Sequence, residues 1–224
     1  MTIRPIALAA VLASLVAPAA ALPAEAAAPT CAGRVVARTD VDGDARRDTV
    51  ALQQIGFDEF EPQFRLCVKT ATGKVSTITD TAFTSLTGHA PYYGAAGLDG
   101  APGNEIVLRA GIGAHSQLFH VYSWKGGRLV RQNSPDRRQP EWYIDWAASV
   151  IQGYRFYTSR GTRYVVATYG EKSPMAPTFR ARQTTFRWSK GGWARATTRT
   201  VTFREDSKTA EGVFGWHGVA LPRG

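Results

Sequence analysis

Between Cys31 and the C-terminus the apolar residues come in short runs rich in Val, Ile, Tyr, Phe, Trp and Thr, separated by Gly, Pro, Asn and Asp. β-branched and aromatic residues favour pleated, half-buried chain, and the separators favour turns, so the pattern predicts strands joined by turns. One stretch has helical spacing. In "PEWYIDWAASV", residues 140–150, Trp142, Trp146 and Val150 fall at i, i+4 and i+8, and Pro140 suits a first helical turn, although Ile144 and Asp145 also fit a strand edge. The expected fold class is all-β.

The runs recur at a fixed distance. "DVDGDARRDTVAL" aligns with "GLDGAPGNEIVL" at a shift of 57, which places Asp42 on Asp99 and Asp48 on Glu105; a second step of 57 reaches Thr162, the start of "TRYVVATYG". After each of these points comes a β-rich run, then a variable loop and a second strand ("FRLCVKT", "LFHVYSW", "TTFRWS"). A turn ("ATGK", "KGG", "KGG") and a third strand ("VSTI", "RLVRQ", "WARATTRTVTF") complete each copy. Gly126-Gly127 and Gly191-Gly192 are the hairpin-turn candidates. The chain thus reads as three diverged strand–loop–strand–turn–strand units. A single unit cannot bury both faces of its sheet, but three stacked or rolled together share a core, so the expectation is one compact propeller-like or rolled β domain over residues 29–224.

The N-terminus changes the cellular context. Arg4 precedes an apolar run from Ile6 to about Val16, and small residues follow with sites such as Ala26-Ala27-Ala28. This is the layout of a secretory signal peptide, assigned to residues 1–28, and the run is shorter than the roughly 20 residues of a membrane-spanning helix. The expected location is extracellular, with no later span. Export permits a disulfide, and the two cysteines, Cys31 and Cys67, are its natural partners; two free buried thiols are the alternative.

Net charge is +9, and it is concentrated. Residues 150–224 hold 13 Lys and Arg against 4 Asp and Glu, while the rest of the chain is balanced. A basic end attracts anionic polymers; the plainer reading is a set of solvated strands that carry arginine. Within it, "TFRARQTTFRW" puts Arg180, Arg182, Phe186 and Trp188 at alternate positions, and arginines beside aromatics are a candidate face for an anionic polymer. The expected partners are a polymer of that kind or another extracellular protein, and not nucleic acid.

Against this basic background "TDVDGDARRD", residues 39–48, gathers four aspartates. Counted from Asp40, carboxylates stand at positions 1, 3, 5 and 9 (Asp40, Asp42, Asp44, Asp48), and position 7, Arg46, offers a carbonyl. A tightly coiled loop turns alternate residues to one centre, and calcium takes six to eight hard oxygens in a forgiving geometry. Without a cation such carboxylates repel and raise one another's pKa. A solvated Asp-rich turn is the other reading.

This stretch resembles the calcium loop of FG-GAP/VCBS-type repeats, the units of integrin-like β-propellers, with the pattern D-x-[DN]-x-[DN]-G-x-x-D before a short apolar strand, here "TVAL". The resemblance covers about residues 33–55 and 92–110, with weak echoes to 204. It implies one structural Ca2+ held by Asp40, Asp42, Asp44, Asp48 and the carbonyl of Arg46. It departs at Ala45, where the family has glycine, and at Arg46 and Arg47, which offset the acidic charge. The second copy retains Asp99 and Glu105, a weak second loop that keeps the turn without the ion, and the third retains no acids. Propellers of this family usually close with seven blades; three units do not close such a ring.

Signals for catalysis are sparse. Of the four histidines, His115 and His120 have opposite parity on a strand and "GAHSQLFH" is not a zinc spacing. A Ser116, His115, Asp145 set can be drawn on paper, and Asp58, Glu59 and Glu61 form an acidic loop with no defined pairing. The expected function is therefore an extracellular, non-enzymatic, calcium-binding β module for a cell-wall polymer, polysaccharide or protein. The alternatives are a small hydrolase with a site near His89 and His115, or an accessory protein or inhibitor of another exported enzyme.

Overall fold

The computed structural model describes residues 30–59, 61–81, 89–136 and 141–222; the predicted signal peptide and Pro140 lie outside them. Fourteen strands and one helical turn make up the described chain. β1 (Arg34–Thr39), β2 (Asp48–Asp58), β3 (Glu61–Lys69) and β4 (Val75–Thr81) form an antiparallel meander that is a sheet on its own. β5 (Tyr92–Ala96), β6 (Glu105–Ile112), β7 (Ser116–Lys125) and β8 (Arg128–Gln132) form a second meander, and β10 (Val150–Ser159), β11 (Thr162–Glu171), β12 (Thr178–Ser189) and β13 (Gly192–Arg204) a third. β9 (Trp142–Trp146) pairs with β7 on one side and β10 on the other and so joins the second and third meanders into one sheet. After β13, the helical turn α1 (Lys208–Glu211) leads to β14 (Gly215–His217), which pairs in parallel with β10.

The strands β2, β6 and β11 begin at residues 48, 105 and 162, two equal steps of 57, where the sequence alignment puts its three starting points. Each meander, however, has four strands. The strand before the loop (β1, β5, β10) escapes the sequence reading; in the first two copies, "RVVART" and "YYGAA", it is short and weakly apolar, and in the third it directly follows β9 in the stretch read as a helix. The turn of the third meander also differs from expectation. Ser189 pairs with Gly192, so the two-residue turn is Lys190-Gly191, both at positive φ (51° and 74°), while Gly126-Gly127 forms the β7–β8 turn as predicted.

The helical expectation for residues 140–150 is wrong: β9 occupies Trp142–Trp146 and β10 begins at Val150. Spacings of four and eight are even, so they fit the two-residue period of a strand as well as they fit a helix. Trp142 and Ile144 are fully buried, and β9 lies between two strands that complete its ladder.

The middle meander is covered on both faces. Ile106 and Leu108 pack with Val50, Leu52, Leu66 and Val68 of the first sheet, while Val107, on the opposite face, joins Phe119, Trp142, Phe156, Val165 and Trp216. A strand enclosed on two sides must be apolar at consecutive positions, and "IVL", residues 106–108, is. A third cluster, Ile151, Phe179, Ala181, Phe203, Ala210 and Val213, lies beneath the C-terminal tail. Cys31 and Cys67 form the expected disulfide with Cα atoms 5.6 Å apart, tying the segment before the edge strand β1 to the central strand β3. Closing a loop of 36 residues contributes about 4 kcal/mol in the chain-entropy description.

Candidate metal centre

The loop between β1 and β2 is coiled by its own aspartates. Asp40 accepts from the N–H groups of Gly43 (2.7 Å) and Ala45 (2.9 Å), and Asp44 accepts from that of Arg46 (2.8 Å). Asp48, at the start of β2 and buried, closes the loop: its Oδ2 accepts from the N–H groups of Val41 (2.7 Å) and Asp42 (3.2 Å), and its Oδ1 from that of Ala71 (2.8 Å) in the β3–β4 turn. The Arg46 guanidinium donates to the Ala71 carbonyl (3.2 Å) and holds the same turn from the other side. Ala45 has φ 63°, a left-handed conformation that costs a residue with a Cβ about 1 kcal/mol. This is the position at which the resembling family carries glycine.

One oxygen each from Asp40, Asp42 and Asp48 lies within 4.8 Å of the others, the one acidic group of this kind among the described residues. Asp42 Oδ1 is buried and accepts no hydrogen bond. Burial, and after it the charges of Asp48, Asp44 and Asp40, push the Asp42 pKa up. An orphaned, partly desolvated anionic oxygen beside two more carboxylates is a donor set that suits a hard divalent cation. Asp44 is exposed and turned onto Arg46 N–H, outside the tight group.

The second loop, between β5 and β6, repeats the scaffold and reverses the electrostatics. Glu105 Oε2 accepts from the N–H groups of Leu98 (2.6 Å) and Asp99 (3.2 Å), the same relation that Asp48 has to Val41 and Asp42. Asp99 Oδ1 accepts from Ala101 N–H and Oδ2 from the Gln132 side-chain amide. Both acids are buried. Burial, and then the Asp99 charge, raise the Glu105 pKa from 4.5 to about 8. The cation beside this loop is a protein group: Arg163 of β11 donates to the carbonyls of Gly97 (2.8 Å) and Leu98 (3.1 Å). In the third meander the equivalent loop is a two-residue turn, Arg160-Gly161, both at positive φ.

The loops also dock on one another. Asn104 N–H donates to the Asp40 carbonyl (2.8 Å) and its side chain to Thr39 (2.7 Å). A Cβ on Gly43 would come within 2.5 Å of Pro102, and one on Gly103 within 2.4 Å of the Val41 carbonyl.

The remaining predicted groups lie elsewhere. His115 Nδ1 is 2.7 Å from Asp145 Oδ1, with Tyr143 donating to Asp145 Oδ2 (3.2 Å). Ser116 is buried beside them, in register with Asp145, and hydrogen-bonds Tyr143. His89 is exposed and makes no hydrogen bond or ion pair among the described residues. His120 is buried and pairs with Asp80 (2.6 Å), which the sequence reading did not single out. Asp58 and Glu61 are register partners at the tip of the β2–β3 hairpin. On β12, Arg180 and Arg182 are exposed, but Phe186 is buried in the main core and Trp188 is half-buried under the Lys125 ammonium (4.9 Å). The aromatic half of the predicted polymer face is thus core packing. Glu171, the register partner of Arg180, and Asp136, 3.9 Å from Arg182, temper the charge of the rest.

No protein-family model, curated protein or solved structure matches the chain.

Proposed function

We propose that the chain is an extracellular, non-catalytic β-repeat module whose first loop holds one structural calcium ion, and that its three meanders are diverged copies of one unit in a propeller-like stack. The observation that carries the ion is the buried Asp42 Oδ1, without a hydrogen-bond donor, in a group with Asp40 and Asp48. The resemblance would add Asp44, through the oxygen that Arg46 N–H leaves free, and the Arg46 carbonyl. The equal steps of 57 and the shared hydrogen bonds of Asp48 and Glu105 support the repeat. Calcium in this reading orders the first loop, against which the second loop packs. The module then offers its basic third to a cell-wall polymer, a polysaccharide or another exported protein. Melting the protein in calcium and in chelator tests the ion: calcium should raise the melting temperature and magnesium should do so less, because magnesium demands a smaller octahedral shell. Equal melting in calcium and chelator would refute it.

A second reading, a small hydrolase, has the His115–Asp145 pair in its favour, since a carboxylate on Nδ1 orients Nε2 as a base. His115 is half-exposed on the surface, and His89, expected beside it, forms no hydrogen bond or ion pair with the pair. Hydrolysis of a model ester or glycoside that disappears in His115→Ala would establish this reading.

A further inference from the structure

Alternate residues of a strand face opposite ways, so the third meander has a face that Arg180 and Arg182 do not share. On that face a pocket of about 420 Å³ lies between the sheet and the C-terminal tail. Its floor includes Arg155 of β10, Thr168 of β11, Gln183 of β12 and Arg199 of β13; its wall includes Lys208 of α1 and His217 of β14. Arg155 and His217 are register partners across β10 and β14. The tail reaches this close because residue 153 is glycine: a Cβ there would stand 1.9 Å from the Val213 carbonyl.

Three permanent cations, Arg155, Arg199 and Lys208, line the pocket, and no carboxylate does. Nearby cations are matched differently: Lys172 with Glu205 (3.1 Å), Arg182 with Asp136 (3.9 Å) and Arg204 with Asp206 (2.9 Å). Arg155, Arg199 and Lys208 have no such ion pair among the described residues. The Arg199 guanidinium is held in place by two bonds to Gln183 Oε1 (2.8 and 3.1 Å), which leaves its remaining N–H groups for a ligand. Like charges gathered around one cavity are relieved by an anion, and planar guanidinium forks fit tetrahedral oxyanions. The volume lies within the range of small-molecule sites, roughly 300–1,000 Å³, and exceeds what an isolated oxyanion fills. The amide and hydroxyl of Gln183 and Thr168 suit hydroxyl groups on whatever carries the charge.

We propose that this pocket binds a phosphate or sulfate ester borne on a small hydroxylated carrier, a polyol or a sugar. The proposal rests on the binding-module reading but not on the ion in the first loop. Calorimetric titration of the protein with glucose 6-phosphate, glucose 6-sulfate and glucose tests it. At least one ester should bind, with an affinity that falls as salt rises, and glucose should not. The tighter of the two esters identifies the source of the charge. Arg155→Ala and Arg199→Ala should each weaken binding by about tenfold. Lys208→Gln, an exposed change that leaves the sheet intact, should weaken it by several-fold. Arg180→Ala/Arg182→Ala, on the opposite face, should leave it within about twofold. Absence of binding by both esters, equal binding of glucose, or an equal loss in the Arg180/Arg182 variant would overturn the proposal. If the esters fail while calcium still raises the melting temperature, the pocket assignment falls alone.

Discussion

Asp48 and Glu105 hold their loops by the same pair of hydrogen bonds, each accepting on one carboxylate oxygen from the backbone N–H groups seven and six residues earlier. The scaffold is common, but the neighbours differ. Asp48 stands beside Asp40 and Asp42, and Glu105 beside Asp99, Gln132 and the Arg163 guanidinium that caps the loop. One loop is left with an excess of negative charge, and the other disposes of its excess by holding a proton.

That proton makes the second loop pH-sensitive. Glu105 has its pKa raised by burial and by Asp99 to about 8, against 4.5 when the chain is unfolded. Below about 4.5 both states hold the proton; between there and about 8 the folded state holds more protons than the unfolded one, so this group's contribution makes stability fall as pH rises through the window. Glu105→Gln keeps a carbonyl acceptor for Leu98 and Asp99 and carries no charge. Denaturant unfolding at several pH values across the window should show a shallower decline for the variant, with the variant at least as stable as the parent at the alkaline end. Parallel curves for the two proteins would exclude Glu105 as the source.

In the first loop the prediction is an inversion. Without a divalent ion, Asp42→Asn removes charge repulsion from a group whose pKa is already pushed up, so in chelator it should melt at or above the parent. In calcium the order should reverse. An ion at a hundred times its dissociation constant adds about 2.7 kcal/mol to the parent, roughly 5–10 °C for a chain of this size, and little to the variant. Asp44→Asn, at an exposed residue outside the tight group, should retain more of the calcium response. Scanning fluorimetry of the three proteins in chelator and in calcium reads all six conditions; a calcium response in Asp42→Asn equal to the parent's would remove Asp42 from the site.

Much of this was legible in the sequence, and the failures have physical causes. The 57-residue step survives because Asp48, Glu105 and Thr162 each open a strand that leads into the core, where Val50, Val107 and Val165 are fully buried. The cysteine pair was legible because there were only two cysteines to join. β9 was misread because its aromatic spacing is even and cannot separate the two periods. Phe186 was misplaced because parity fixes which side a residue takes but not what covers that side: β12 is buried on one face at Phe179 and Ala181, under the tail, and on the other at Phe186. The pocket of Arg155, Arg199 and Lys208 was not readable, since its residues lie on three separate elements, two of them joined through the intervening strands of the sheet, and its wall is completed by β14, a three-residue strand with no sequence signal.

The tail that roofs the pocket depends on one missing side chain. Gly153→Ala places a methyl group 1.9 Å from the Val213 carbonyl and 2.8 Å from the Gly215 nitrogen, both backbone atoms. Neither can yield without parting β14 from β10. The cost should be about 3 kcal/mol or more, with Trp216 leaving the core it shares with Trp142, Tyr154 and Phe156. Limited proteolysis should cut the variant near residue 213 while the parent resists. An unchanged cleavage pattern would mean that the tail has another anchor.

The first sheet is held to the second meander by a directional contact as well as by apolar packing. Asp80 of β4 and His120 of β7 are both buried, 2.6 Å apart, and the Tyr122 hydroxyl also bonds Asp80. Contacts such as Ile106 on Val50 tolerate sliding, whereas a buried carboxylate between an imidazole and a phenol does not. Removing one member leaves the other buried and short of this bond, so Asp80→Ala and His120→Ala should each cost about 3–5 kcal/mol. The double variant should cost clearly less than the two losses added, because the second truncation removes the group that the first left stranded. Urea unfolding of the four proteins gives the coupling energy directly. Strictly additive losses would mean that the two residues pack side by side without acting as a pair, and that the first sheet is positioned by its apolar face and by other bonds such as those of Asn104 to Asp40 and Thr39.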